Sequence, residues 1–305
     1  MMINEVKHKD LQQKIVTTNH RTGRVALLGE PNTGKSSIVN AIVGEDVSIV
    51  SDKAGTTRDE IIGIKSGENY QIIFLDTPGM LKKQNLLDKA MAKSISNAVA
   101  SADVILYVLD ATDIRDEYIR KIENHAGKKP IIIAVNKTDR STHAKLYPKL
   151  GRLNVLQGIS AIVPVSAKTN FNIDVLEDEI AKALPQGDAQ YEEDDFTTQA
   201  TRKMAEEIIR EQLLHMLRAE LPHGIAVKIM NWKETSKQIE INAEIYCINA
   251  RHKPMIIGKK GSVLKQVGIG ARARLQELTG KHVKLYTHVL VREDWKNKKE
   301  FVESL

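Results

Sequence analysis

Five short runs of Ile, Val and Leu recur along the first 165 residues, and helical periodicity fills the stretches between them. The runs are Arg24–Leu28, Gln71–Leu75, Val104–Leu109, Ile131–Val135 and Ala161–Val165. Each is nearly continuous in apolar residues rather than alternating, so each needs cover on both faces. Helical patterns at Ser36–Val43, Leu87–Ala100, Glu117–Asn124 and Ile173–Ala183 supply that cover. Strands alternating with helices predict an α/β unit, a mostly parallel sheet between two helical layers. The longest unbroken apolar run, Val104–Leu109, is far too short to cross a bilayer.

The periodicity stops at Pro185. The acids of Tyr191-Glu-Glu-Asp-Asp195 follow, and residues 186–198 read as an acidic linker between a unit at 23–185 and a second at 199–305. Residues 1–22 carry Lys7, Lys9, Asp10 and Lys14 without an apolar block, so they read as a loose arm and not a secretory signal. The second unit reads as α+β. A long helix at Thr198–Leu221 precedes strands at Ile225–Asn231 and Gln238–Tyr246, then a Gly-rich turn, a helix ending near Leu278 and a strand at Val283–Val291. In the second strand Ile239, Ile241, Ala243 and Ile245 share one face. The sole cysteine, Cys247, leaves no intramolecular disulfide and fits a reducing cytoplasm.

Chemistry enters at Gly29-Glu-Pro-Asn-Thr-Gly-Lys-Ser36, which sits between a strand and a helix as a phosphate-binding P-loop must. Gly29, Pro31, Asn32, Thr33 and Gly34 turn backbone N–H groups inward, Lys35 faces the β- and γ-phosphates, Ser36 ligates Mg²⁺ and Ser37 continues the helix. Three further motifs follow at successive strand ends. Asp76-Thr-Pro-Gly79 brings a carboxylate to the Mg²⁺ shell and a backbone N–H to the γ-phosphate. In Asn136-Lys137-Thr-Asp139 the last carboxylate accepts both the ring N–H and the exocyclic amine of guanine, donors that adenine lacks. Ser166-Ala167-Lys168 backs the base. The predicted ligands are therefore GTP and GDP. Between the P-loop and Asp76, a loop containing Thr56 and Thr57 carries the hydroxyl expected to join Mg²⁺ when the γ-phosphate is present; Thr57 is preferred, with Thr56 the alternative. The residue after Gly79 is Met80, which cannot orient water; Asn32 reads either as a ligand, with switch-loop carbonyls, of a K⁺ ion or as a plain turn residue.

Net charge separates the two units. From Ala200 onward there are 20 Lys and Arg against 12 Asp and Glu, whereas the preceding residues hold 25 against 27. Arg251–Lys299 alone has 13 bases and three acids. This excess surrounds Ile257-Gly258-Lys259-Lys260-Gly261-Ser262, where two glycines bracket two lysines before a helix. Such a turn lets a single-stranded RNA backbone approach closely, with Arg272, Arg274 and Lys281 extending the path. The same basic face admits peripheral contact with the anionic inner face of the cell membrane.

Taken together, these motifs resemble the Era family, bacterial GTPases of small-subunit ribosome assembly. The likeness also rests on Glu207-Ile-Ile-Arg-Glu211, Ala219-Glu-Leu-Pro222 and Val291-Arg-Glu-Asp-Trp295, which carry no chemistry of their own. It implies a Ras-like G domain followed by a type II KH domain. It further implies binding to the single-stranded 3′ end of 16S-type ribosomal RNA on the small subunit, in the GTP state, and we expect the chain to act as a monomer. Glu30 departs from the family, which usually has a basic or small residue there. Two rivals stand beside a regulated GTPase: an RNA chaperone that only senses the GTP/GDP ratio, and a tRNA-related or membrane-associated GTPase.

Overall fold

The computed structural model of the chain describes residues 19–48, 61–77, 85–125, 128–197, 201–217 and 221–305. The first unit holds β1 (Arg21–Leu28), α1 (Lys35–Val43), β2 (Ile61–Gly67), β3 (Tyr70–Asp76), α2 (Leu86–Ser101) and β4 (Val104–Asp110), followed by α3 (Asp116–Glu123), β5 (Ile131–Asn136), α4 (His143–Leu153), β6 (Ile159–Pro164) and α5 (Ile173–Ala183). Its sheet runs in the order β2-β3-β1-β4-β5-β6, with every pairing parallel except β2 with β3. Alternate residues of the buried strands serve opposite helical layers. Val25, Leu27 and Leu106 pack with Ile38 of α1 and Leu176 of α5, whereas Leu28, Ile105 and Tyr107 pack with Ile122 of α3 and Leu146 of α4.

Two elements were not foreseen. β2 is diluted by Gly63, Ser66 and Gly67, but the two-residue turn Glu68-Asn69 folds it back on β3 in register. α4 contains Pro148 and Gly151, which break a helical pattern, yet Leu146 and Leu153 bury its inner face. β1 also begins three residues earlier than expected, so Arg21 and Thr22 belong to the sheet and not to an arm.

The acidic stretch after Pro185 is held against this domain. Gln71, almost fully buried, donates through Nε2 to Tyr191 O (2.9 Å) and accepts from Gln190 N (2.8 Å) and Tyr191 N (3.0 Å). Ile64 N donates to Phe196 O at 2.9 Å. Its acids stay at the surface while its backbone is fixed.

The second unit contains α6 (Thr201–Met216), β7 (Ile225–Glu234), β8 (Gln238–Cys247), α7 (His252–Ile257), α8 (Ser262–Thr279), β9 (His282–Val291) and α9 (Lys299–Val302). The helix, two strands, Gly-rich turn, helix and strand expected are α6, β7, β8, the turn, α8 and β9, with the short α7 and α9 added, and α6 and α8 cover the face formed by Ile239, Ile241, Ala243 and Ile245. β8 pairs antiparallel with β7 and parallel with β9. The two units meet where Leu87 and Met91 of α2 pack against Tyr246, Trp295 and Phe301. Leu86 N donates to Asn297 Oδ1 at 3.2 Å. Trp295 is fully buried there, with Nε1 donating to Gly224 O at 3.1 Å, so it closes the end of the sheet and offers no ring for a base.

Candidate functional site

The motifs read at strand ends converge at the carboxyl edge of the parallel sheet. Gly29 leaves β1 with φ 151°, and a Cβ there would lie 2.4 Å from Val108 O, so the loop can pass β4 only as glycine. Thr33 Oγ1 donates to Glu30 O at 3.0 Å, and the buried Lys35 Nζ donates to Gly29 O (3.2 Å) and Glu30 O (3.1 Å). Gly34 caps α1 at φ 92°. The loop thus curls around its own lysine at the positive end of a helix, an arrangement that receives a polyphosphate.

Asn136 stitches two other motifs to this loop. Its Nδ2 donates to Thr33 O at 2.9 Å, and its Oδ1 accepts from Ala167 N at 3.1 Å. The approach is close: a Cβ on Gly34 would lie 2.3 Å from Asn136 Nδ2. Lys137, at φ 63°, donates to Asn32 O (2.5 Å) and Asp110 Oδ2 (2.8 Å). Asp139 Oδ1 accepts from Ser166 Oγ at 2.7 Å, which orients the carboxylate, and Thr138 Oγ1 donates to Val165 O at 2.9 Å. Gly34, Ser37, Asn136, Lys137, Asp139 and Lys168 line a cavity of about 490 Å³, a size suited to a mononucleotide. Asp76 ends β3, and Thr77 Oγ1 donates to Leu27 O at 2.5 Å, tying that strand end to β1. Thr56, Thr57, Gly79 and Met80 lie outside the described residues.

Sequence reasoning missed Asp110. Burial acts to raise its pKa, but hydrogen bonds from Lys137 and Thr112 and the lysine's charge hold the carboxyl below its ordinary value. It therefore stays ionised and anchors the lysine that braces Asn32. Its position as the last residue of a buried strand, in line with Asp76, was the available signal.

In the second unit the expected turn joins α7 to α8. Gly258 has φ 77° and ψ 168°, conformational space that only glycine occupies readily, and a Cβ would meet Val263 N at 2.7 Å. Lys260 (φ 49°) and Gly261 (φ 76°) follow in left-handed geometry, and Gly261 caps the 18-residue α8. Lys259, Lys260 and Ser262 are exposed, and Ile257 is half-buried beneath them. Arg272 is half-buried, leaning over Gly268.

Arg274, expected on the RNA path, is ion-paired within the protein. Its guanidinium pairs with the buried Glu211 and, at 2.9 Å, with Asp46 of the first unit, so its charge is already matched by two carboxylates. Lys281 is likewise committed, to Glu234 at 2.5 Å. Spacing alone could not separate these from the exposed lysines, because their carboxylates lie far away in sequence.

Comparison with known proteins decides the family. The GTPase Era of Nitratidesulfovibrio vulgaris (strain DP4) is 38% identical over 303 residues, covering 94% of this chain and 97% of that protein. That of Alkaliphilus metalliredigens (strain QYMF) is 38% identical over 94% of this chain and 99% of its own. The chain belongs to the GTPase Era family. Like other members it hydrolyses GTP to GDP and phosphate. Its residues 24–137 match the family described as 50S ribosome-binding GTPase, and 220–296 match the KH domain. Among solved structures, an Aquifex aeolicus Era variant bound to GDP and aluminium fluoride superposes with TM-score 0.88 at 37% identity, over 93% of this chain and 98% of that one. An Era complex with MgGDPNP and nucleotides 1506–1542 of 16S ribosomal RNA gives TM-score 0.88 at 38% identity, over the same shares. The Ras-like G domain and KH domain that the resemblance implies are both Era domains, in the family's order.

Proposed function

We propose that this chain is a GTP-driven switch that grips the single-stranded 3′ end of 16S-type ribosomal RNA during small-subunit assembly. The Gly258-Lys259-Lys260-Gly261 turn carries the reading. Two glycines remove side chains where a nucleic-acid backbone must approach, two exposed lysines stand between them, and a long helix begins at the second glycine. An Era relative similar over 93% of the chain holds a 16S fragment, whereas the likeness to a 50S-binding GTPase stops at residue 137 and omits the KH domain. A lipid surface would need the charge but not the paired glycines, so membrane contact ranks behind RNA.

In this reading Gly29, Pro31, Asn32, Thr33, Gly34, Ser36 and Ser37 form the phosphate cradle, and Lys35 takes up charge that develops during γ-phosphoryl transfer. The glycines at 29 and 34, where a Cβ would strike Val108 O and Asn136 Nδ2, let this loop pack against β4 and the Asn136 motif. Asp139 selects guanine, with Ser166, Ala167 and Lys168 behind it. Ser36, Asp76 and Thr57 would hold Mg²⁺, which would neutralise phosphate charge during the transfer. Asn32 would share a K⁺ ion with switch-loop carbonyls, in place of a glutamine where Met80 stands. Hydrolysis is then expected to run several-fold faster in K⁺ than in Na⁺, measured by phosphate release; equal rates would remove the ion.

The central test is RNA affinity in three nucleotide states. A fluorescent oligoribonucleotide of the 16S 3′ end is expected to bind at least about tenfold more tightly with a non-hydrolysable GTP analogue than with GDP or no nucleotide, a coupling of about 1.4 kcal/mol. Identical affinities in all three would reduce the protein to two unconnected binders. Single-turnover hydrolysis should also respond to that RNA, and an unresponsive rate would favour the chaperone reading.

A further inference from the structure

The P-loop carries an acidic side chain that its own chemistry does not require. A nest for polyphosphate gathers positive potential, yet Glu30 places a carboxylate at the loop's second position. The backbone of that residue is fixed, since Glu30 O accepts both Thr33 Oγ1 and Lys35 Nζ. The carboxylate reaches α3, where Oε1 accepts from Lys121 Nζ at 2.7 Å. Lys121 also pairs with Glu117 one turn earlier at 3.0 Å, and its ammonium lies 5.6 Å from the centroid of the Tyr118 ring. Side-chain exposure is 22% for Glu30 and 33% for Lys121, so the contact is partly shielded from water. Burial opposes the charge on Lys121, but hydrogen bonds to Glu30 and Glu117 raise its pKa and keep it an ammonium.

We propose that Lys121 sets nucleotide affinity by acting through Glu30: it neutralises the P-loop carboxylate and holds it against α3, away from the incoming phosphates. GTP and GDP bring several negative charges to this loop. An unpaired carboxylate in the loop would repel them, whereas the ammonium 2.7 Å away offsets its charge, and Glu117, which shares that ammonium, is exposed to water. Lys121 is a positioning residue, since it reaches the nucleotide only through Glu30. The inference rests on residues 29–36 being the GTP site, and binding of GDP by the unaltered chain checks that premise separately.

The test is a charge cycle in the full-length protein, read by titration with fluorescent GDP and by steady-state GTP hydrolysis. Lys121→Met keeps the aliphatic stem beside Tyr118 while removing the charge. It is expected to raise Kd for GDP and KM for GTP about tenfold, with the effect on KM rather than kcat and shrinking as salt is raised. Adding Glu30→Gln should restore Kd to within about threefold of the parent, because no carboxylate then needs a partner. Lys121→Arg should retain most of the affinity. The proposal is overturned if Lys121→Met binds GDP like the parent. It is equally overturned if the double variant binds as weakly as Lys121→Met, since the pair would then be a purely structural brace. Should Lys121→Met not fold, Glu30→Gln alone gives the answer: binding as tight as or tighter than the parent supports the charge account, and weaker binding refutes it.

Discussion

Replacing Asp139 by asparagine is expected to weaken GTP binding by about 10³- to 10⁴-fold and to create affinity for xanthosine triphosphate. The carboxylate is oriented through Oδ1 by Ser166 Oγ at 2.7 Å, at the end of a segment pinned by Thr138 to Val165. Guanine presents a ring N–H and an exocyclic amine side by side, and a carboxylate offers an acceptor to each. An asparagine keeps one acceptor, which Ser166 can still address, but turns an N–H₂ toward one guanine donor. Two donors then face each other in a partly desolvated site, leaving polar groups unpaired. Xanthine carries an oxygen in place of the amine, so the same amide can donate to it. Asp139 is exposed, and the fold should survive the change. Competition of GTP and xanthosine triphosphate for the site measures both halves, and full retention of GTP affinity would overturn the base assignment.

What made this site legible was that its chemistry falls at strand ends. Continuous apolar runs identified β1, β3, β4, β5 and β6, and the motifs read as phosphate, Mg²⁺ and guanine contacts follow all of them but β4. The elements that escaped were those whose stability is tertiary. α4 persists despite Pro148 because Leu146 and Leu153 are buried against the sheet, and β2 persists despite its glycines because β3 pairs it along its whole length. Local propensity is a weak guide where packing decides.

The same limit applies to the cations, whose ion pairs cannot be read from spacing. Arg274 and Lys259 look alike in a charge count, yet Arg274 lies between Glu211 and Asp46 while Lys259 points into solvent. Likewise Val291-Arg-Glu-Asp-Trp295 could be recognised without its purpose being readable. Trp295 fills the junction with α2, the helix that follows the Asp76-Thr-Pro-Gly79 motif. A motif without chemistry here marks a contact between domains, and that contact joins the KH domain to the helix α2 of the G domain.

The second large effect is expected at Gly261. Gly261→Asp should reduce RNA affinity at least about 100-fold, or ~2.7 kcal/mol, while leaving GTP binding and the cooperative melt nearly unchanged. The separation follows from the local geometry. A Cβ at Gly258 would strike Val263 N at 2.7 Å and disrupt the turn itself, so a loss of binding there would not distinguish contact from misfolding. At Gly261 no atom lies within 4 Å of the added Cβ, and the backbone, at φ 76° and ψ 14°, occupies a left-handed region that aspartate tolerates at a cost of about 1 kcal/mol. The new carboxylate would stand at the start of α8, where it favours the helix and takes the place of an RNA phosphate. It would also partly neutralise Lys259 and Lys260 beside it. Lys260→Ala offers a graded comparison: it should weaken binding less and lower the slope of log affinity against log salt by about 0.7, the counterion released at one single-strand phosphate. An RNA titration unchanged by Gly261→Asp would remove this turn from the binding surface, and a loss of GTP binding in the same variant would mean that the two domains do not fold independently.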